Sequence, residues 1–490
     1  MLQRRQAMTM AAASLALPLL SGRGRAQPAA PSGQSPPAPL AERLAAYAHG
    51  LRYEDLGAAT VERIKTHLLD GIGCAIAALE ERAVGICRNV ALAVPGPASI
   101  IGSTRGSSVE LAAFANAAAV RFLDFNDTYV GKVAVHPSDD IPACLAVAES
   151  VGADPRALLT AIALAYEVNC RLADAFDISR RGWDPTVFAL PAVALAAGKL
   201  MGLAPDRLAQ AVNLALNDHI PMAQTRVGAL SDWKGVSVAE AGRNAVFAAQ
   251  LAGAGLTGPA PIFEGGSGFV RQVGGPAEVD VAGFGGHGDG FRIMHASIKP
   301  YPAVIYSQTA IVAAIAVAEE VKDLGRIAEI EIATTRRGLQ RAGSEPEKWA
   351  PRTRETADHS LPYLSARAMF DRDITAASFA PAKFTDPALL AFMRGITVVE
   401  DPALTARIGG PGGAVPTRIT ATLKDGGRVV REVDFAPGFA GRPMTRDEVA
   451  RKFRGNVAAQ WPRERAERFL ATVWGLDTAA DTKALTALLR

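Results

Sequence analysis

The chain has 490 residues, 46 of them Gly and 31 Pro, with 49% hydrophobic and 21% charged residues. That composition excludes a disordered chain, a collagen-like repeat and a disulfide-dense miniprotein, and the length allows two or three domains. The net charge is +3, but the first 26 residues hold Arg4, Arg5, Arg23 and Arg25 and no acid, so the remainder carries −1 and gives no reason to expect nucleic acid as a partner.

Arg4 and Arg5 precede an uncharged stretch from Gln6 to Gly22, followed by the small-x-small pattern Gly24-Arg25-Ala26. This reads as a twin-arginine-like export signal over 1–26, giving a periplasmic or exported chain; the alternative is a cytoplasmic chain with an unrelated extension. Residues 27–39 form a Pro-rich linker. The later uncharged run 244–263 is broken by Gly253, Gly255, Gly258, Pro259 and Pro261, so no membrane span is expected after signal removal.

From Leu40 the pattern is helical. Val61, Ile64, Leu68, Ile72, Ala75 and Leu79 recur at steps of three and four, and similar stripes run through 108–122, 141–151, 157–172, 189–201, 207–216 and 238–253. Cys74, Cys87, Cys144 and Cys170 form no C-x-x-C pair, and the reading is buried thiols rather than a metal or disulfide set. After about residue 290 the period changes. Residues 327–335 alternate like a half-buried strand, Ile396-Thr-Val-Val399 is another strand, and 417–435 reads as a hairpin turning at Asp425-Gly426. A helical stretch 307–321 precedes these strands and another, 361–371, lies between them, and Val449, Phe453 and Val457 return to helical spacing. The expected fold is two-domain: an all-α domain over 40–294, an inserted α+β lid domain over 295–436, and carboxyl-terminal helices over 437–490 that rejoin the first domain.

The densest polar cluster is Leu123–Asp140, with Asp124, Asp127, Thr128 and His136. Pro137 disfavours a helical backbone at His136, and Ser138 or Asp139 is placed to cap the following helix. A carboxylate neighbour, Asp124, would orient His136 for acid–base work; capping and loop hydrogen bonding alone is the competing account, and a metal site of Asp124, Asp127 and His136 is a weak third. Lys234, after Trp233, and Lys299, in Ile298-Lys-Pro-Tyr-Pro302, suit carboxylate binding as point charges, against a solvated-surface alternative. His359 and Tyr363 flank a helix start, where they also suit a cap and a core residue, and Asp184 also suits an ordinary turn. The glycine clusters lack a preceding strand, and no G-x-S-x-G elbow occurs, so neither a dinucleotide cradle nor a serine hydrolase is indicated.

Eight segments in order resemble the MmgE/PrpD superfamily: LLDGIGCAIA (68–77), FLDFNDT with HPSDDIPA (122–143), GWDP (182–185), SDWKG with GRNAVFAAQLAGAGLTGP (231–259), EGGSGF (264–269), IKPYPA (298–303), RETADHSLPY (354–363) and MTRDEVARKF (444–453). The resemblance implies a helical domain with an α+β lid, a homodimer, and a cleft for a small di- or tricarboxylate with no metal and no organic cofactor. Carried onto this sequence, it implies catalytic roles for His136, Lys234, Lys299, Asp124 and Tyr363. Thr128, Asp127, His359 and Asp184 would bind substrate. Two positions depart from the decarboxylase branch: Asp184 and Val304 stand where that branch has histidines. The activity implied is a cofactor-independent hydro-lyase of the 2-methylcitrate dehydratase kind. The alternatives are an isomerase or epimerase working by α-proton transfer, and an exported carboxylate-binding protein without catalysis.

Overall fold

The apolar stripe in 60–79 forms the helix Gly57–Ala77, which buries Ile64, Leu68, Ile72 and Ala75 completely. Val109–Phe122 and Pro155–Ala175 pack on it, and Ile141–Val151, Ala189–Leu200, Pro205–Asn217 and Ser237–Gly253 pack on these and on one another. Small residues allow this close approach, and the faces in contact are rich in fully buried alanine. Local signals set the boundaries. Asp154 accepts from Ala157 N–H with Pro155 in the first turn, so a helix starts there. Gly152, at φ 64°, ends the helix before it.

The computed structural model describes residues 37–217, 219–286, 290–410 and 412–490; the expected export signal and residues 27–36 of the linker lie outside the described residues. The chain is mostly helical with a few small sheets. No helix among the described residues is long and apolar enough to cross a membrane. All four cysteines are buried and free.

Residues 39–490 cluster as one unit containing two main hydrophobic cores. One runs from Leu40 to Ile298 and is rejoined by residues between Val449 and Leu489. The other runs from Ala303 to Phe439. The second core is built on a four-stranded sheet in the order Ile396–Glu400, Ile327–Thr334, Thr417–Leu423, Arg428–Val433. The first pair is parallel and the other two are antiparallel. Gly426, at φ 87°, makes the tight turn of the last hairpin, as the Asp-Gly dipeptide suggests. Helices Gln308–Val321 and Leu361–Asp371 pack beside this sheet. Lys299 therefore sits between Ile298, where the chain leaves the first core, and Ala303, where it enters the second.

The carboxyl-terminal return is held by an aromatic cluster. Phe453 stacks on Phe469 at 5.4 Å and meets Trp461 edge-on at 6.2 Å. Gly73 lets it reach the central helix, since a Cβ there would lie 3.1 Å from the Phe453 ring. Phe453→Ala is expected to lower the unfolding free energy by about 3–5 kcal/mol, read as a reduced urea midpoint with an unchanged slope.

Candidate active site

The helix Val109–Phe122 carries Arg121 in its last turn, and the chain then turns sharply at Asp124, whose φ of 53° is a left-handed conformation rare outside glycine. Four cationic or imidazole side chains converge there. Arg121 Nη1 donates to Asp124 Oδ1 at 2.6 Å, Lys234 Nζ lies 3.1 Å from Oδ2, and His359 Nδ1 lies 3.5 Å from Oδ2. Lys299 Nζ donates to both the carboxylate and, at 3.0 Å, the backbone carbonyl of Asp124. Lys234 also donates to both oxygens of Asp358 at 2.9 and 3.0 Å, and Asp358 holds His359 Nδ1 at 2.6 Å. All of these side chains are buried.

Burial alone would raise the Asp124 pKa. Arg121, Lys234 and Lys299 overcome it and hold the carboxyl well below the usual range. Asp358 is likewise lowered, against burial, by Lys234 and His359. Burial pulls Lys299 down to about 8, with Asp124 opposing. At neutral pH the three cations face two carboxylates, so the buried cluster keeps one uncompensated positive charge. Asp124, Asp358 and His359 offer ligand atoms within 4.8 Å of one another, the arrangement of a cation site, but the Lys234 ammonium already lies between the two carboxylates.

His136 has a non-helical backbone, φ −123° and ψ 78°, as Pro137 requires. Its orienting partner is the Asp127 backbone carbonyl, 2.7 Å from Nδ1, not Asp124. A carbonyl only accepts, so Nδ1 carries the hydrogen and Nε2 is the bare nitrogen, 3.2 Å from Arg121 Nη2. Burial, then Arg121 and Lys299, hold this imidazole well below its ordinary pKa. Thr128 Oγ1 lies 3.0 Å from the same Nδ1, and the Thr128 backbone pairs with Ser297.

A pocket opens between the two cores. Arg121, Asp124, His136, Asp139 and His359 line its inner part, Val133–Val135, Ala189, Val238 and Val304–Tyr306 its walls, and Arg226, Arg337 and Arg341 also face it. Asp139 takes one hydrogen bond, from Asn126 Nδ2 at 2.7 Å, and its other oxygen is 3.7 Å from Arg121 Nε. Burial raises its pKa to about 8 despite Arg121, so it is a neutral carboxylic acid at pH 7. Burial and Lys234 lower His359 to about 4, so it is a neutral imidazole with its hydrogen on Nδ1. Among the described residues, no hydrogen bond engages its Nε2.

Several expectations are revised by these placements. Lys234 and Lys299 do not line the pocket; their ammonium groups lie behind it, on Asp124 and Asp358. Tyr363 is in the second core between Phe379 and Phe384, and its hydroxyl donates to the Ser378 carbonyl. Asp127 is a buried brace that accepts from Ser138 and, at 2.7 Å, from Tyr166, with His67 Nδ1 2.8 Å from Oδ2. Neither Ser138 nor Asp139 caps the helix Ile141–Val151, because Ser138 is engaged by Asp127 and Asp139 faces the pocket. Asp184 is beside the pocket and holds Arg226 there, at 2.7 Å. Arg121, Asp358, Arg226, Arg337 and Arg341 were not singled out from the sequence, and Asp139 was read only as a cap. An arginine within an alanine-rich apolar stripe was the available signal for Arg121.

The MmgE/PrpD N-terminal domain matches residues 42–282 and the MmgE/PrpD C-terminal domain residues 301–478. The chain belongs to the MmgE/PrpD family. It is 26% identical over 475 residues to cis-aconitate decarboxylase of Mus musculus, covering 92% of this chain and 93% of that protein. It is 28% identical over 455 residues to 2-methylcitrate dehydratase of Cupriavidus necator, covering 86% and 90%. The corresponding Escherichia coli K12 dehydratase is 28% identical over 444 residues, covering 82% and 87%. The junction between the two matched family domains contains Lys299, the residue that reaches back 175 positions to Asp124.

Asp124→Asn would leave Arg121, Lys234 and Lys299 without their shared counter-charge and is expected to lower the unfolding free energy by about 3–5 kcal/mol at pH 7. Because the folded carboxyl lies below its unfolded value, this contribution is complete above about pH 4 and is lost as the pH falls through the folded value. Urea titrations should therefore show the gap between variant and wild type closing on acidification.

Proposed function

We propose that this protein is a lyase acting on a small polycarboxylate, and more specifically a hydro-lyase of the 2-methylcitrate dehydratase kind. The observation that carries the reading is the inverted protonation of two groups facing one pocket: His359, held near 4, is a free base at pH 7, and Asp139, near 8, is a free acid. Elimination of water needs that combination. His359 Nε2 takes the proton α to a carboxylate, the C–H electrons form the double bond, and the C–O bond breaks as Asp139 protonates the departing hydroxyl. One proton is gained by His359 and one lost by Asp139, and a proton passing back through water resets the pair. Negative charge building on the substrate carboxylate is offset by Arg121 and by the excess positive charge of the buried cluster.

The dehydratase relatives, 28% identical, support this reading at the level of reaction class. Val304, an apolar wall residue, supplies no proton donor where the decarboxylase branch has a histidine, which favours dehydration over decarboxylation. In the same reading the α+β part acts as a lid, two chains pair as a homodimer, and residues 1–26 direct export to the periplasm.

The test is a panel of hydroxy polycarboxylates followed by double-bond absorbance and proton NMR. The pH profile of kcat/KM should rise through about 4 as His359 loses its proton and fall through about 8 as Asp139 does; Lys299 loses its charge in the same upper range and pulls the same way. His359→Asn and Asp139→Asn should each lower kcat/KM by ~10²–10⁴-fold. Undiminished turnover in either variant would take its role away.

A further inference from the structure

Asp184 is 1% exposed and starts a short 3-10 turn, Pro185–Phe188, by accepting from Thr186 N–H at 3.0 Å. Both of its oxygens are also engaged by Arg226, through Nε at 2.7 Å and Nη2 at 3.3 Å. That grip fixes the guanidinium plane and, among the described residues, leaves Nη1 with no acceptor. Two further arginines, Arg337 and Arg341, are one turn apart on the helix Arg336–Ala342 and face the same pocket. Arg337 is partly engaged, by the Gly131 carbonyl at 3.5 Å and Asp177 at 3.6 Å, whereas Arg341 has no ion pair or hydrogen bond among the described residues.

Arg226 and Arg341 also line an adjoining outer cavity, so they stand at the pocket mouth, away from the inner groups Asp124, His136 and His359. The carboxylates of that outer cavity are already taken. Glu345 accepts from Gly228 N–H at 3.0 Å and lies 3.5 Å from Lys348, and Asp177 accepts from Ser179 and faces Arg337. Among the described residues, guanidinium donors of Arg226 and Arg341 thus face this space without an ion-pair partner of their own beyond Asp184, at one end of a pocket whose other end holds the acid and base.

We infer that Arg226, aimed by Asp184, and Arg341 form a clamp for a substrate carboxylate remote from the reacting carbon, and so select acids with a second or third carboxylate. This rests on the lyase reading only for which carbon reacts. The clamp itself is a binding property.

Isothermal titration at fixed ionic strength with citrate, malate and lactate tests it in the full-length protein. Arg226→Gln and Arg341→Gln should each weaken citrate ~10–100-fold while changing lactate by no more than about twofold. Asp184 is a positioning residue, so Asp184→Asn should weaken citrate as Arg226→Gln does, and the double variant should be no weaker than Arg226→Gln alone. A buried aspartate with a purely structural role would give additive losses, and a melting curve for each variant identifies unfolding. Equal weakening of all three acids, undiminished citrate affinity in both arginine variants, or no citrate binding by the wild type would overturn the clamp. Citrate binding that depends on Arg226 and Arg341 in a protein that turns over no polycarboxylate would uphold the clamp and overturn the lyase reading.

Discussion

The structure around the pocket depends on one buried carboxylate. Asp124 receives Arg121 from the end of a core helix, Lys234 from the Asp232–Gly235 turn, and Lys299 from the segment joining the two cores. None of these cations could be buried alone, since the desolvation of each would exceed anything its neighbours return. Sharing one anion solves that problem geometrically. It also fixes where the second core begins, because Lys299 is drawn back against the first core only four residues before Ala303. An apolar replacement of the whole cluster could be as stable. What it could not reproduce is a rigid positive centre behind the pocket.

That centre explains the protonation pattern in front of it. His136 and His359 each have their Nδ1 tied, one to a carbonyl and one to a carboxylate, and positive charge nearby adds to burial in keeping both neutral. Asp139 is next to Arg121 yet has a raised pKa. Arg121 donates directly to Asp124 at 2.6 Å and reaches Asp139 only at 3.7 Å, so burial, helped by Asp127, outweighs it. The geometry of one arginine thereby separates two aspartates, Asp124 and Asp139, into an ion and a neutral acid.

Much of the fold was legible in the sequence because periodicity reports burial. The stripe in 60–79, the alternation in 327–335 and the Asp-Gly hairpin each appear where expected. Pairs of two-residue strands, such as Tyr129–Val130 with Ala134–Val135, are too short to leave a period, so the hairpin that forms a pocket wall was hidden in a polar loop. The site was legible as a neighbourhood, not as a set of roles. Lysine spacing says nothing about direction, and Lys234 and Lys299 turn inward because Asp358, unremarked beside His359, and Asp124 are there to receive them. Tyr363 carries a polar tip, but one backbone carbonyl is enough to satisfy it within a core. Arg226, Arg337 and Arg341 come from a loop and a short helix with no pattern, and only the packing of the second core against the first brings them to one mouth.

The two departures from the decarboxylase-like pattern make physical sense together. A histidine at position 184 would offer a proton; an aspartate there, held by Thr186 N–H and by two nitrogens of Arg226, offers none and delivers a guanidinium instead. A histidine at position 304 would add a second titrating group; valine leaves an apolar wall. Both changes remove proton chemistry from the side of the pocket formed by the Pro185–Phe188 turn and the Val304–Tyr306 segment, and one of them adds fixed positive charge. In the proposed reaction, proton transfer falls to His359 and Asp139, whose environments push their pKa values to opposite sides of neutrality. Recognition is concentrated on arginines, whose charge does not vary over the range in which that pair titrates. A pocket divided in this way can hold its ligand with the same charge pattern at every pH at which its acid and base are both correctly protonated.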